Sequence, residues 1–152
     1  MDWQIFYHIF LKNREIFFRY IEPLDETIFR NAILTNLFII IRKFVDKYKK
    51  APDFDTLLLL LDTLPEAEQE NRTAYVKTIK EIAVLKLDID LDVFSAEVDK
   101  AIHNYELEKF ILKVANQAGK ITFDDVLVDI RNILTKFQPK NSGVDVTDVS
   151  RA

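Results

Sequence analysis

From Met1 to Gln138 the chain contains one glycine, Gly119, and three prolines, Pro23, Pro52 and Pro65. Glycine loses the most backbone freedom on folding, and proline lacks the amide that a helix interior requires, so both residues interrupt helices. A chain this poor in interrupters is directed toward long helices with a few well-marked breaks. Its 152 residues are 49% hydrophobic and include twelve phenylalanines, which is enough apolar material for a packed core. The expected fold is all-α: a small bundle of about six to seven helices with a C-terminal antiparallel helical hairpin.

The breaks and the apolar spacing divide the chain. Trp3, Ile5, Phe6, Ile9 and Phe10 mark a first helix over 2–12, and "EIFFRYIE" a second that stops before Pro23. Asn31 is placed to cap a long helix through Lys49. In it Ile33, Leu34, Leu37, Phe38, Ile41, Phe44, Val45 and Tyr48 recur at intervals of three and four. Asp53 is a natural cap for the next helix, whose leucines, Leu57 to Leu61, wrap nearly all round it and predict a deeply buried segment. That run is far shorter than the roughly 20 residues of a membrane span, and a zipper needs several heptads. Pro65 suits the first position of a further helix reaching Leu85. "KLDIDLD" alternates and reads as an extended loop, since no partner strand is visible.

Residues 93–138 carry the hairpin. Its first arm ends where Gly119 fits a helix terminator, and Thr122 with Asp125 forms a variant capping box for the second. In the second arm Phe123, Leu127, Ile130, Leu134 and Phe137 are spaced four, three, four, three, the period of an antiparallel helix pair. Residues 1–92 are then a globular helical core. The polar stretch 139–152 is a flexible linker or tail.

Most enzymatic chemistry is excluded at this level. There is no cysteine, so disulfides, thiolate metal sites and thiol nucleophiles are absent. Gly119 and Gly143 stand alone, and a phosphate-binding loop needs several glycines followed by lysine and a hydroxyl residue. His8 and His103 are not spaced as zinc ligands and read as surface or partly buried helix residues. Asp88, Asp90 and Asp92 imitate the start of a calcium loop. The sixth position, which wants glycine, is Val93, however, and the twelfth is Asp99 in place of glutamate. No metal or cofactor is therefore expected in this chain. Charge is uneven: the first fifty residues hold nine basic and six acidic side chains, the next fifty five and twelve, the remainder seven of each. That is not the basic footprint of an autonomous nucleic-acid binder. No signal peptide or membrane span is visible, so a cytoplasmic protein is expected and the sequon at Asn71 is incidental.

What remains is an interaction domain. In order along the chain come "NREIFFRYIEPLDETIFRN", "FVDKYKKAPDFDTLLLLL", "TAYVKTIKEI", "YELEKFILKVANQA" and "ITFDDVLVDIRNILTKF". This series resembles the N-terminal domain of the DnaB-type hexameric replicative DNA helicases, especially the forms carried by phages. The most specific match is the second segment: aromatic and tyrosine at a helix end, basic loop, proline, capped helix with leucine. Lys109 stands where the family commonly has arginine or lysine. Asn71-Arg72 departs from the family's usual Gly-Gly ahead of the "A-Y-L" helix and leaves that loop's shape open.

The resemblance implies a non-catalytic N-terminal piece. The family's motor domain, joined through a linker where 139–152 stands here, binds ATP and magnesium and moves on single-stranded DNA. Its N-terminal domains pair through their hairpins and form a collar in the hexamer, where primase and in some systems a helicase loader engage. Partners implied for this chain are thus itself, as dimer or hexamer ring, primase and possibly a loader, with DNA reached only through the full-length protein, in bacterial or phage-infected host cytoplasm. On that basis Ile102, Tyr105, Lys109, Phe110 and Val114 on the first arm, and Leu127, Ile130, Leu134 and Phe137 on the second, are the candidate interface. They either zip the two arms together or meet a neighbouring subunit. Two rivals stand beside this reading: a free-standing phage helicase loader, inhibitor or adaptor, and an enzyme whose scattered carboxylates converge on a metal.

Overall fold

The computed structural model describes residues 1–117 and 123–136. No strand is present among them, and the fold is all-α. Helices α1 (Trp3–Lys12), α2 (Arg14–Tyr20), α3 (Ala32–Tyr48), α4 (Phe54–Leu60), α5 (Arg72–Ala83), α6 (Leu91–Asn116) and α7 (Phe123–Lys136) follow one another, with short 3₁₀ turns at Glu26–Phe29, Leu61–Thr63 and Glu66–Asn71. The chain divides into two compact units, Asp2–Asp88 and the part from Ile89 onward.

In the first unit, side chains with oxygen acceptors begin each of the first four helices. Asp2 accepts from the Gln4 amide at 3.0 Å, Asn13 from Ile16 at 3.0 Å, Asn31 from Leu34 at 3.0 Å and Asp53 from Thr56 at 2.7 Å. Each bond satisfies an amide that the helix itself leaves unpaired. Asn13 does more than interrupt. Extended at φ −113°, ψ 115°, it ends α1 and caps α2, folding the two helices against each other.

That corner gathers the aromatic core. The Phe10 ring lies 4.7 Å from Phe17, 5.0 Å from Phe6 and 5.5 Å from Phe38, and Phe29 sits 5.1 Å from Trp3 and 5.3 Å from Tyr7. Phe6, Tyr7, Phe10, Phe17, Tyr20 and Phe38 are fully buried. Burial of each such ring contributes about 1.5–3 kcal/mol, which makes this cluster the main source of cohesion in the unit. Burial also pushes the Tyr7 hydroxyl well above the usual phenol range, so it stays protonated and donates to the Leu34 carbonyl at 2.6 Å.

Arg42 on α3 holds the α2–α3 connection. Its guanidinium donates to the carbonyls of Ile21 (3.1 Å) and Leu24 (2.7 Å) and to Glu26 Oε2 (3.0 Å), and lies 4.8 Å over the Phe38 ring. A planar fork with several donors suits this arrangement, and lysine cannot reproduce it.

Two elements depart from the sequence expectation. The helix expected from Pro65 begins only at Arg72. Pro65 is extended (φ −53°, ψ 146°), and Glu66–Asn71 forms a 3₁₀ turn. The Gln69 side chain donates to the carbonyls of Leu64 (3.0 Å) and Leu61 (3.3 Å), and Tyr75 donates to Glu68 (2.9 Å), so side chains fasten this turn where an α-helix would use its own backbone. The leucine run is the second departure. Leu57 and Leu61, four apart, are 1% and 0% exposed, but Leu59 is 70% exposed. Five consecutive helical residues point all round the axis, and α4 lies at the surface of its unit, so only one face is covered. In α3 the buried set is Leu34, Leu37, Phe38, Ile40, Ile41 and Val45; Ile33 and Phe44 are half-buried and Tyr48 is exposed.

In the second unit α6 opens on Asp90, which accepts from the amides of Asp92 (2.9 Å) and Val93 (3.1 Å). Phe94, Ser95, Val98, Asp99 and Ile102 form the buried stripe along its first half. The expected roles of Gly119, Thr122 and Phe137, and the tail 139–152, lie outside the described residues.

Candidate interaction surface

The second half of α6 and the length of α7 carry the candidate residues. The two helices lie side by side: Lys113 Nζ donates to Asp129 Oδ2 at 2.9 Å, and Glu106, Lys109 and Phe110 line a shallow groove with Asn132 and Ile133. The ion pair is half-exposed, so it contributes less than about 1 kcal/mol and serves to align the helices.

The nine expected residues fall into different environments. Ile102 is buried at 2% exposure, whereas Tyr105, Phe110, Val114 and Ile130 are half-buried. Lys109 is exposed, held by its own helix through Glu106 at 3.5 Å and over the Tyr105 ring at 5.0 Å. Leu127 and Leu134 are 42% and 57% exposed, and Phe137 lies outside the described residues. Lys109 and Phe110 line the groove beside α7, whereas Leu127 and Leu134 stand exposed. Among the described α7 side chains Ile133 is the one that is buried, at 9% exposure, and it lines the groove with Asn132 and Asp129.

Exposure of Leu127 and Leu134 leaves them open to a neighbouring subunit, the second of the two expected roles. The four-three spacing leaves open which side of the helix meets the neighbour, because apolar residues occur on both sides of α7. The structure pairs Lys113 with Asp129, but Asp124 and Asp125 are equally available acids on α7, so the sequence alone does not identify the contacting side. Further apolar side chains stand open on the same two helices: Ile111 and Leu112 at 62% and 61%, and Val128 at 53%.

Elsewhere the chemistry is quiet. His8 Nδ1 donates to the Ile82 carbonyl at 2.8 Å, which fixes the proton on that nitrogen, and the ring stacks on Phe54 at 6.2 Å. His8 is buried, a structural link within its unit. Among the described residues no group of three or more His, Asp or Glu side chains is arranged to hold a metal ion, and no helix is long and apolar enough to cross a membrane.

No protein-family model matches the chain, and neither a curated protein nor a solved structure matches it.

Proposed function

We propose that this chain is the non-catalytic N-terminal domain of a DnaB-type replicative helicase, which self-associates through α6 and α7 and offers the resulting collar to primase or a helicase loader. The observation that carries the reading is the ordered series of segments from "NREIFFRYIEP" to "DIRNILTKF", with "FVDKYKKAPDFDTL" its most specific member. That member is a built loop: Lys49 takes a left-handed turn at φ 59°, Pro52 is buried, and Asp53 caps α4.

A second support is the open apolar surface on α6 and α7. Exposed Ile111, Leu112, Leu127, Val128 and Leu134 on two adjacent helices have the chemistry of a protein-docking surface. The hairpin in this reading pairs with a neighbour, and ATP and magnesium belong to the motor domain of the family's full-length proteins.

The reading frame of the gene tests this directly. A helicase N-terminal domain requires the frame to continue into a motor domain with a G-x-x-x-x-G-K-[ST] phosphate loop. A frame that stops near Ala152 removes the helicase-domain reading and gives the function to a free-standing loader, inhibitor or adaptor.

A further inference from the structure

Between α5 and α6 the chain runs from Leu85 to Asp90 without helix or turn. Exposure alternates along it: Leu85, Leu87 and Ile89 are half-buried, and Lys86, Asp88 and Asp90 are exposed. A period of two is the mark of an extended strand with one covered face and one open face. Asp90 has the matching backbone, φ −60° and ψ 123°.

The hydrogen-bonding groups of this strand are open. The Leu85 amide donates to the Ile82 carbonyl at 3.3 Å, and the Asp90 carbonyl accepts from Phe94 at 2.9 Å. Between them, the amides and carbonyls of Lys86, Leu87, Asp88 and Ile89 meet no partner among the described residues. Four consecutive extended residues of this kind form a strand edge, the feature on which peptide-binding domains take up an added strand.

We propose that residues 86–89 bind an extended basic peptide as an added, antiparallel β-strand. The exposed face supplies the selectivity. It carries Asp88 and Asp90 beside one base, Lys86, and Asp92 follows in the first turn of α6. Side chains opposite one another on paired strands lie about 5 Å apart, so the occupant sets its own alternate side chains against these charges. The matching order is basic, apolar, basic, apolar, acidic. Its bases meet Asp90 and Asp88, its apolar side chains meet Ile89 and Leu87, and its acid meets Lys86. A second copy of the chain fits this edge less well. Two-fold symmetry about Asp88 or Ile89 opposes carboxylates, and symmetry about Leu87 carries Asp90 onto Val84, whose backbone is helical. The exposed side chains of α6 and α7 take no part in this contact, so it stands independently of the self-association reading.

The probe is a fluorescein-labelled peptide with the core KVKVE, titrated with the full chain and followed by fluorescence anisotropy. It binds, and the reversed core EVKVK, which opposes like charges in the antiparallel register, binds about ten-fold more weakly. N-methylation of alternate peptide amides separates strand pairing from charge attraction. Blocking one alternate set abolishes binding and blocking the other leaves it, because alternate amides of a strand point to opposite edges. Asp88→Lys, with its helices checked by circular dichroism, weakens binding of KVKVE about ten-fold, and the core KVEVE restores it. Absence of binding overturns the proposal, and so does binding that survives methylation of either set, which is charge attraction alone. Failure of KVEVE to restore binding overturns the register. A molar mass that falls in Leu87→Pro, with no peptide bound by the wild type, gives the edge to a second copy and overturns the peptide assignment.

Discussion

Arg42 and Asp53 show how single residues fix the local geometry here, and only one of them was legible beforehand. Asp53 precedes a leucine-rich helix after a proline, which is the pattern of a cap. Arg42 gave no warning, because a lone arginine in an amphipathic helix usually points into solvent. Its partners, the carbonyls of Ile21 and Leu24 and the Glu26 carboxylate, come from a connection whose path depends on tertiary structure. Arg42→Ala leaves these groups without their donor and is expected to destabilise the fold by about 2–4 kcal/mol in urea titration, and Arg42→Lys recovers only part of that. The Asp53 carboxyl is held below the ordinary carboxylate range, first by its hydrogen bonds with Thr56 and then by the charge of Lys50. A group whose folded pKa lies below its unfolded value adds stability above the unfolded value, near 3.9 for aspartate, and loses that contribution as pH falls through the folded pKa. Asp53→Asn keeps a capping oxygen without the charge. The difference in Tm between wild type and Asp53→Asn should therefore be present at pH 6 and shrink as the pH falls below about 4.

At the scale of elements, helix positions were legible and helix faces less so. The caps at Asn31 and Asp53, and the ends at Tyr48 and before Pro23, follow from local chemistry that the sequence carries in a few residues. Pro65 misled: it can start a helix, but the Gln69 side chain and the Tyr75–Glu68 bond secure a 3₁₀ turn that local propensity does not reveal. Leu57 to Leu61 shows a different limit. A uniform apolar run contains no information about which side faces the core, so burial at Leu57 and exposure at Leu59 are set by packing alone. This has a measurable consequence: Leu57→Ala should cost about 2–5 kcal/mol and Leu59→Ala within about 0.5 kcal/mol. Helix α7 repeats the lesson. Ile133 and Leu134 are neighbours of nearly equal hydrophobicity, and only the Lys113–Asp129 pairing distinguishes them. Ile133→Ala should lower Tm measurably, whereas Leu134→Ala leaves it within about 1 °C.

For the whole molecule, the all-α class followed from the scarcity of glycine and proline together with the three-and-four apolar spacing. Function is less legible, because a docking surface has no fixed motif: it consists of ordinary apolar residues left uncovered. Exposed Ile111, Leu112, Leu127, Val128 and Leu134 became visible only once α6 and α7 had been placed beside each other. The proposed role depends on what those side chains do in solution. The most direct test is the molar mass of the chain by sedimentation equilibrium over a wide concentration range in moderate salt. The account predicts a mass that rises with concentration from the 17.8 kDa monomer toward twice that value, with Leu127→Glu holding it at the monomer. A wild-type mass that stays at the monomer up to high concentration would contradict it.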